Sequence, residues 1–182
     1  DGPAFDVRVR LALLETDAAR PARASTILRG LRARAQEEGD PDRLSFVESA
    51  LALLALQEGD RNRAARHLEA LLEPGGEGEV EAKACLAALG RFDLEAAEKE
   101  YEAFSSTEDH ATLLFVHLWL ERAARDGRHV RIAHEMLESL VAHAPEEDRA
   151  ELKERLPLYR EIEEAWRARE AAEKAAGDGK DH

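Results

Sequence analysis

Cysteine, aromatic residues and long apolar runs are all scarce in this sequence. The one cysteine, Cys85, lies among small apolar residues, so we expect it to be buried and exclude a disulfide framework, a cysteine metal cluster or a dithiol motif within the chain. Aromatic residues make up 5% of the 182 residues, and β-branched residues are few. Because no apolar run approaches the length of a membrane-crossing helix, we expect no membrane insertion within the chain.

Basic residues are in the minority. Lys and Arg number 26 against 39 Asp and Glu, which gives a net charge of -13. Nucleic-acid binding depends on Lys and Arg that replace counterions at phosphates, so this balance excludes nucleic acid as the expected partner. Residues 69–109 hold twelve acidic side chains and three basic ones. A charge-steered partner should be basic, while a solvated outer face is the alternative interpretation.

Strong helix formers dominate what is present: Ala, Leu, Arg and Glu are the commonest residues. Chain breakers separate segments whose apolar residues recur three and four positions apart, the spacing of one helix face. The pattern predicts nine helices, at 5–16, 21–38, 41–58, 61–73, 78–90, 93–105, 109–126, 129–143 and 146–176. The expected class is therefore all-α.

Specific residues mark the helix ends. Asp40 and Pro41 supply an N-cap and a first-turn proline, and Ser106 with Asp109 resembles a capping box. Glycines that suit helix stops follow four of the predicted helices: Gly39, Gly59, Gly90 and Gly127. Pro157 should kink or split the last helix.

The first segment is the least regular. Its apolar residues alternate with period two from Phe5 to Leu13, which alone would favour a strand, and we assign it as helix from its context. The chain opens at Asp1 rather than at Met, so we expect a processed or excised piece of a longer protein.

One stretch carries a repeat signature. Small residues Ala52 and Ala55 precede Gly59 in a turn, and Ala64, Leu68 and Leu71 follow at four- and three-residue steps. This helix-turn-helix unit resembles the tetratricopeptide (TPR) family, whose units span about 34 residues. The resemblance implies an α-solenoid of antiparallel hairpins in one domain over 1–176, with a closing helix. Residues 177–182 have no apolar side chain, so we expect a disordered tail there. The implied hairpins are 5–38, 41–73, 78–105 and 109–143, with 146–176 as the capping helix.

The other units match less well. The fourth repeats the pattern at Ala133 and Leu137, but its turn lies one residue off the family register. The third carries Lys83 where the family prefers a small residue, and the first has Thr16 and Asp17 in place of a turn glycine. The match is that of a divergent repeat protein, and another α-solenoid is the alternative.

A search for chemistry finds no catalytic, cofactor or metal site in the pattern. His134 and Glu135 do not continue into the HExxH spacing of zinc proteases, and His110 and His117 flank apolar residues, which favours a structural role. The glycine-rich segment 74–78 lacks the Lys-Ser/Thr ending of a phosphate-binding loop. We expect no enzyme activity and no cofactor.

What remains is a binding surface. By resemblance, the concave groove of such repeats is lined by the first helix of each unit. The implied groove residues are Phe46, Ser49, Leu53 and Gln57 in the second unit, Val80, Ala84 and Ala87 in the third, and His117, Glu121 and Arg125 in the fourth. Phe46 and Leu53 could equally belong to the core.

The sequence thus favours a non-catalytic scaffold or adaptor, of bacterial composition, whose groove holds a basic protein segment or an amphipathic helix within a multiprotein assembly. Two alternatives stay open: a self-associating module that forms homo-oligomers, and a regulatory or sensor domain of a larger enzyme or transcription regulator. The cytoplasm is slightly favoured as the compartment over the periplasm or a membrane tether through a preceding segment.

Overall fold

Helices make up the regular structure of this protein. The computed structural model describes residues 20–72, 78–104, 110–149, 152 and 156–178, and within these ranges no strand occurs. The predicted all-α class is confirmed. None of the helices in the described ranges is both long and apolar enough to cross a membrane.

The chain divides into two compact units, Asp1–Arg91 (unit 1) and Phe92–His182 (unit 2). Unit 1 contains α1 (Pro21–Glu38), α2 (Pro41–Gln57), α3 (Arg61–Glu69) and α4 (Glu79–Ala88). Unit 2 contains α5 (Leu94–Phe104), α6 (His110–Ala124), α7 (Arg128–His143), a 3-10 turn (Glu146–Asp148) and α8 (Pro157–Asp178). The single repeat domain over 1–176 and its solenoid stacking stay predictions.

Turn residues determine where the first two helices begin and end. Pro21 and Pro41 stand at the helix starts, where a missing N–H costs nothing. The Asp40 carboxylate accepts the backbone N–H of Arg43 at 3.0 Å, which is the predicted cap. Gly39 ends α1 in the left-handed conformation, with φ of 65°, which glycine adopts without strain. Both predicted bounds of the helix at 21–38 are confirmed.

The core of unit 1 follows the predicted helical spacing. On α1, Leu28 and Leu31 are buried, and they pack in one cluster with Val47 and Leu54 of α2. The small residues at the contact of α2 with α3 are also buried, together with Cys85 of α4 as expected: Ala52, Ala55, Ala64 and Cys85. Small side chains allow two helices to approach closely, which explains why alanine recurs at these positions.

Unit 2 has a core of its own. Leu114 and Leu118 of α6 pack with Leu137 of α7 and with Ile162 of α8, and all four are buried. Because α8 contributes Ile162 to this cluster, the last helix covers the α6 and α7 pair, as a closing helix should.

Two predicted helices differ from the observed ones by more than two residues at one end. The helix predicted at 61–73 ends at Glu69, because the Leu71 N–H bonds to the Leu68 carbonyl three residues earlier in a tightened turn. The segment predicted as one helix at 146–176 begins with the 3-10 turn, and a helix starts at Pro157, which confirms the predicted split at this proline. It then continues to Asp178, so residues 177–178 are helical rather than part of a disordered tail.

Some predictions lie outside the described residues. These are the helix at 5–16 with its alternating pattern, the capping box of Ser106 and Asp109, and the tail from 179 onward.

Candidate functional site

The four residues predicted on α2 share one side of that helix. Phe46, Ser49, Leu53 and Gln57 follow each other at steps of three and four residues, and we call them the α2 face. Phe46 is 50% exposed and Leu53 37% exposed, Gln57 is exposed, and Ser49 is half-buried. The alternative that Phe46 and Leu53 belong to the core does not hold for the described structure.

The exposure of this face is unusual for α2. Val47, Leu51 and Leu54 on the same helix are buried, and Leu44 and Leu56 are half-buried. Only four large apolar side chains are exposed in the described part of the chain, and they are Phe46, Leu53, Ile132 and Leu156. Two of these stand seven residues apart on one helix, so they form a pair two turns apart.

The start of α4 and the first turn of α2 adjoin the α2 face. Gly78 lies against its middle, since a Cβ on Gly78 would sit 3.5 Å from Ser49 Oγ. The helix that starts there, α4, carries Glu79 and Glu81 in its first turn, and Glu79 pairs with Lys83 at 2.8 Å. Asp42 lies in the first turn of α2 itself. The start of α4 therefore lies beside the middle of the α2 face, and Asp42 lies one turn before Phe46 on the same side of α2.

The groove residues predicted on the other helices have different surroundings. Ala84 and His117 are each 1% exposed and Ala87 is buried, so these side chains offer no surface to a partner, and Val80 is half-buried. Both carboxylate oxygens of Glu121 accept backbone N–H groups at the start of α7, from Gly127 at 3.0 Å and from Val130 at 3.2 Å.

Glu121 thus caps a helix, and Arg125, although exposed, lies in the adjoining turn with a left-handed φ of 55°. The structure does not bring the residues predicted from unit 2 together as one exposed face.

His117 belongs instead to a buried chain of hydrogen bonds in unit 2. The Tyr101 hydroxyl lies 2.7 Å from His117 Nε2. His117 Nδ1 lies 3.0 Å from His129 Nδ1, and His129 Nε2 lies 3.0 Å from Glu98 Oε1. Arg128 also pairs with Glu98. We call Tyr101, His117, His129 and Glu98 the histidine chain.

The donor and acceptor roles in the histidine chain follow from its end groups. Since an ionised carboxylate only accepts, His129 donates through Nε2 to Glu98. If both rings are neutral, His129 Nδ1 is then an acceptor, so His117 donates through Nδ1 and accepts the Tyr101 hydroxyl at Nε2. With two neutral imidazoles, each hydrogen bond of the histidine chain therefore has one donor and one acceptor.

The electrostatics favour a neutral His117 ring. Burial, the neighbouring His129 and the Arg128 guanidinium lower the pKa of His117 from 6.5 to about 4. Burial raises the pKa of Tyr101 above its ordinary value of 10. Neither group therefore titrates near pH 7, where a general acid or base works best.

A second buried polar cluster joins three helices of unit 1. Glu48 is 2% exposed, its Oε1 accepts from Arg32 Nε at 2.5 Å and its Oε2 lies 2.6 Å from His67 Nδ1. Burial alone would raise the pKa of Glu48, but the bonds to His67 and Arg32 outweigh it and hold the pKa below the usual range. The cluster ties α1 and α3 to α2.

One group of side chains in the described ranges could hold a metal ion. His134 and Glu138 of α7 and Glu163 of α8 place a ligand atom each within 4.8 Å of one another. Glu163 lies on another helix, so the spacing of residues around His134 in the sequence gives no indication of it.

Sequence reasoning also missed the pairing of His117 with His129 and that of Glu48 with His67. Both histidines of the first pair stand next to core residues, Val116 and Val130, and this apolar setting was the available signal. It indicates burial, but it does not identify the partner.

Comparisons with known protein families, with curated protein sequences and with solved structures find no match for this chain. Its class is defined by the all-helical fold alone, and the tetratricopeptide resemblance stays a prediction.

Proposed function

We propose that this protein is a non-catalytic interaction module that binds a basic amphipathic helix of a partner protein on the α2 face and so organises a multiprotein assembly. The observation that carries the proposal is the exposure of Phe46 and Leu53 two turns apart on one helix. An amphipathic helix presents apolar side chains at matching intervals, so it could cover both residues at once.

Charge supports a basic partner. The whole chain carries -13, Asp42 lies one turn before Phe46 on the same side of α2, and Glu79 and Glu81 lie in the first turn of α4, which begins beside Ser49. Lys and Arg on the polar side of a docked helix would lie near these groups. Such complementarity speeds encounter and selects against acidic partners, while apolar contact supplies most of the affinity.

The state of the polar clusters supports a non-catalytic role. Among the described residues, every buried side-chain nitrogen or oxygen has a hydrogen-bond partner within the protein. The histidine chain links Tyr101, His117, His129 and Glu98 by hydrogen bonds, and its central ring, His117, has a pKa lowered to about 4, which is what a structural network requires.

The test uses a designed 18-residue amphipathic helix of Leu and Lys, labelled with fluorescein, and measures its affinity by fluorescence anisotropy. Two twins accompany it: one has Glu in place of Lys, and one has the same composition with the apolar stripe scrambled. The protein variants are Phe46→Ala/Leu53→Ala and, as the matched control, Ile132→Ala/Leu156→Ala, which removes the two exposed apolar side chains of unit 2.

We expect the Leu-Lys helix to bind most tightly, and the α2 double variant to weaken it by roughly tenfold or more. The control variant should bind like the parent protein. Equal loss in both variants, or equal binding of the scrambled twin, would show charge attraction without a site. Sedimentation that reveals a dimer lost in the α2 variant would assign the face to a second copy and overturn the proposal.

A further inference from the structure

We infer that His134, Glu138 and Glu163 form a binding site for a divalent metal ion of the zinc type, held between α7 and α8. The site lies in unit 2 and is independent of the α2 face. Its three donors are one imidazole nitrogen and two carboxylate oxygens, which come from two packed helices.

The spacing of the donors fits a metal better than it fits direct bonding. His134 Nε2 lies 3.8 Å from Glu138 Oε1 and 3.6 Å from Glu163 Oε1. Both distances exceed the 2.7–3.2 Å of a hydrogen bond, so the imidazole bonds to neither carboxylate. Tetrahedral zinc with ligands at 2.0–2.1 Å separates neighbouring donor atoms by about 3.3 Å. A small rotation of each side chain would bring the three atoms onto one ion.

The distances from His134 to the two carboxylates differ from those that other histidines make with their partners. In the histidine chain, the ring nitrogens of His117 and His129 lie 2.7–3.0 Å from the atoms they bond to, and His67 Nδ1 lies 2.6 Å from Glu48 Oε2. These histidines are within hydrogen-bond distance of their partners. His134 faces two carboxylates at a distance that leaves room for an ion among the three atoms.

The surrounding side chains hold the site in place. The His134 ring stacks on Trp166, with centroids 4.8 Å apart and planes 16° apart, which fixes the direction of Nε2. Glu138 follows His134 by four residues, so both project from the same side of α7. Glu163 precedes Trp166 by three residues on α8, and its second oxygen lies 3.4 Å from Arg167 Nη2.

Exposure and donor chemistry point to the class of ion. The side chains of His134 and Glu163 are 20% and 13% exposed, while Glu138 at 48% leaves an entrance from solvent. An imidazole nitrogen with two carboxylates suits Zn²⁺ better than Mg²⁺ or Ca²⁺, which prefer all-oxygen sites. With three protein ligands, a water molecule would complete the tetrahedron.

The first experiment titrates the chelator-treated full chain with ZnCl₂ in a calorimeter. We expect one zinc ion per chain, and a loss of affinity of at least roughly tenfold in His134→Ala and in Glu163→Gln. Glu163→Gln keeps the shape of the side chain, so it controls for damage to the fold by His134→Ala. His143→Ala removes an exposed histidine from the same helix and should leave binding unchanged.

The second readout uses Trp166 as a local probe. In a Trp119→Phe background Trp166 is the remaining tryptophan, and Co²⁺ bound at His134 should quench its fluorescence at stoichiometric concentration. Quenching that His134→Ala abolishes supports the site. Zinc binding that survives both His134→Ala and Glu163→Gln, binding that His143→Ala also removes, or no saturable binding up to about 1 mM would each overturn the inference.

Discussion

At the scale of single residues, what surrounds a histidine decides whether it can serve as a base, a ligand or a core residue. His117 is sealed in the histidine chain, with each ring nitrogen bonded, and its pKa is lowered to about 4. His134 keeps Nε2 directed at two carboxylates beyond hydrogen-bond distance. Nothing in the residue type itself distinguishes these two histidines.

The lowered pKa of His117 predicts a loss of stability in acid. In the unfolded chain the imidazole takes up a proton near pH 6.5, whereas in the folded protein it does so near pH 4. The contribution of the neutral His117 ring to the free energy of unfolding is therefore fully present above pH 6.5. It is lost as the pH falls to about 4, by about 3 kcal/mol at most. Urea unfolding at a series of pH values measures this loss.

A direct check follows the His117 ring nitrogens by NMR. We expect the His117 imidazole to stay neutral at pH 5.5. The variant His117→Gln cannot titrate, so its stability should fall less steeply between pH 6.5 and 4. A His117 midpoint near 6.5 in the folded protein would contradict the prediction.

At the scale of helices and turns, two glycines should respond in opposite ways to alanine. Gly127 precedes α7 with a φ of 81°, and an added Cβ would meet Arg169 Nε at 2.5 Å. We expect Gly127→Ala to destabilise the protein by about 1–2 kcal/mol. Gly30 lies inside α1 with no atom within 4 Å of the added Cβ, so Gly30→Ala should stabilise it by roughly 0.5–1 kcal/mol.

Gly39→Ala separates the two causes at Gly127. Gly39 also has a positive φ, of 65°, but an added Cβ would meet nothing within 4 Å. Its cost in urea unfolding therefore measures backbone strain, and any excess at Gly127 measures the displacement of Arg169. If Gly127→Ala were neutral, the turn would have to tolerate a side chain in this conformation.

The same scale shows how far sequence reasoning reaches. Pro21 and Gly39 stand at the ends of α1, and the predicted helix matches both, because turn chemistry depends on adjacent residues. The repeat pattern likewise placed the small residues Ala52 and Ala55 at a helix contact, and both are buried. It left open whether Phe46 is core or surface, because that depends on which other helices cover α2.

The two polar clusters could not be predicted from the sequence, for a related reason. His117 and His129 are 12 residues apart and Glu48 and His67 are 19 apart, each pair on different helices. Helical spacing states which face a residue occupies, but it does not state which face of another helix it meets. The three possible metal ligands could not be predicted for the same reason, because Glu163 lies on α8 while His134 and Glu138 lie on α7.

At the scale of the whole molecule, the described residues include a hydrophobic cluster between α1 and α2 and another among α6, α7 and α8. The first lies in unit 1 and the second in unit 2. Each cluster loses its own contacts when one of its leucines is shortened. The two units should therefore respond separately to core substitutions.

The tryptophans make this prediction measurable, because Trp119 and Trp166, the two in the chain, both belong to unit 2. Leu28→Ala, in the core of unit 1, should cost about 2–5 kcal/mol and shift part of the far-ultraviolet circular dichroism transition, while the tryptophan fluorescence transition stays in place. Leu114→Ala, its counterpart in unit 2, should shift the fluorescence transition by a similar free energy. If Leu28→Ala moved both signals together, the two units would unfold as one cooperative structure, and a substitution on either would have to be read as acting on the whole chain.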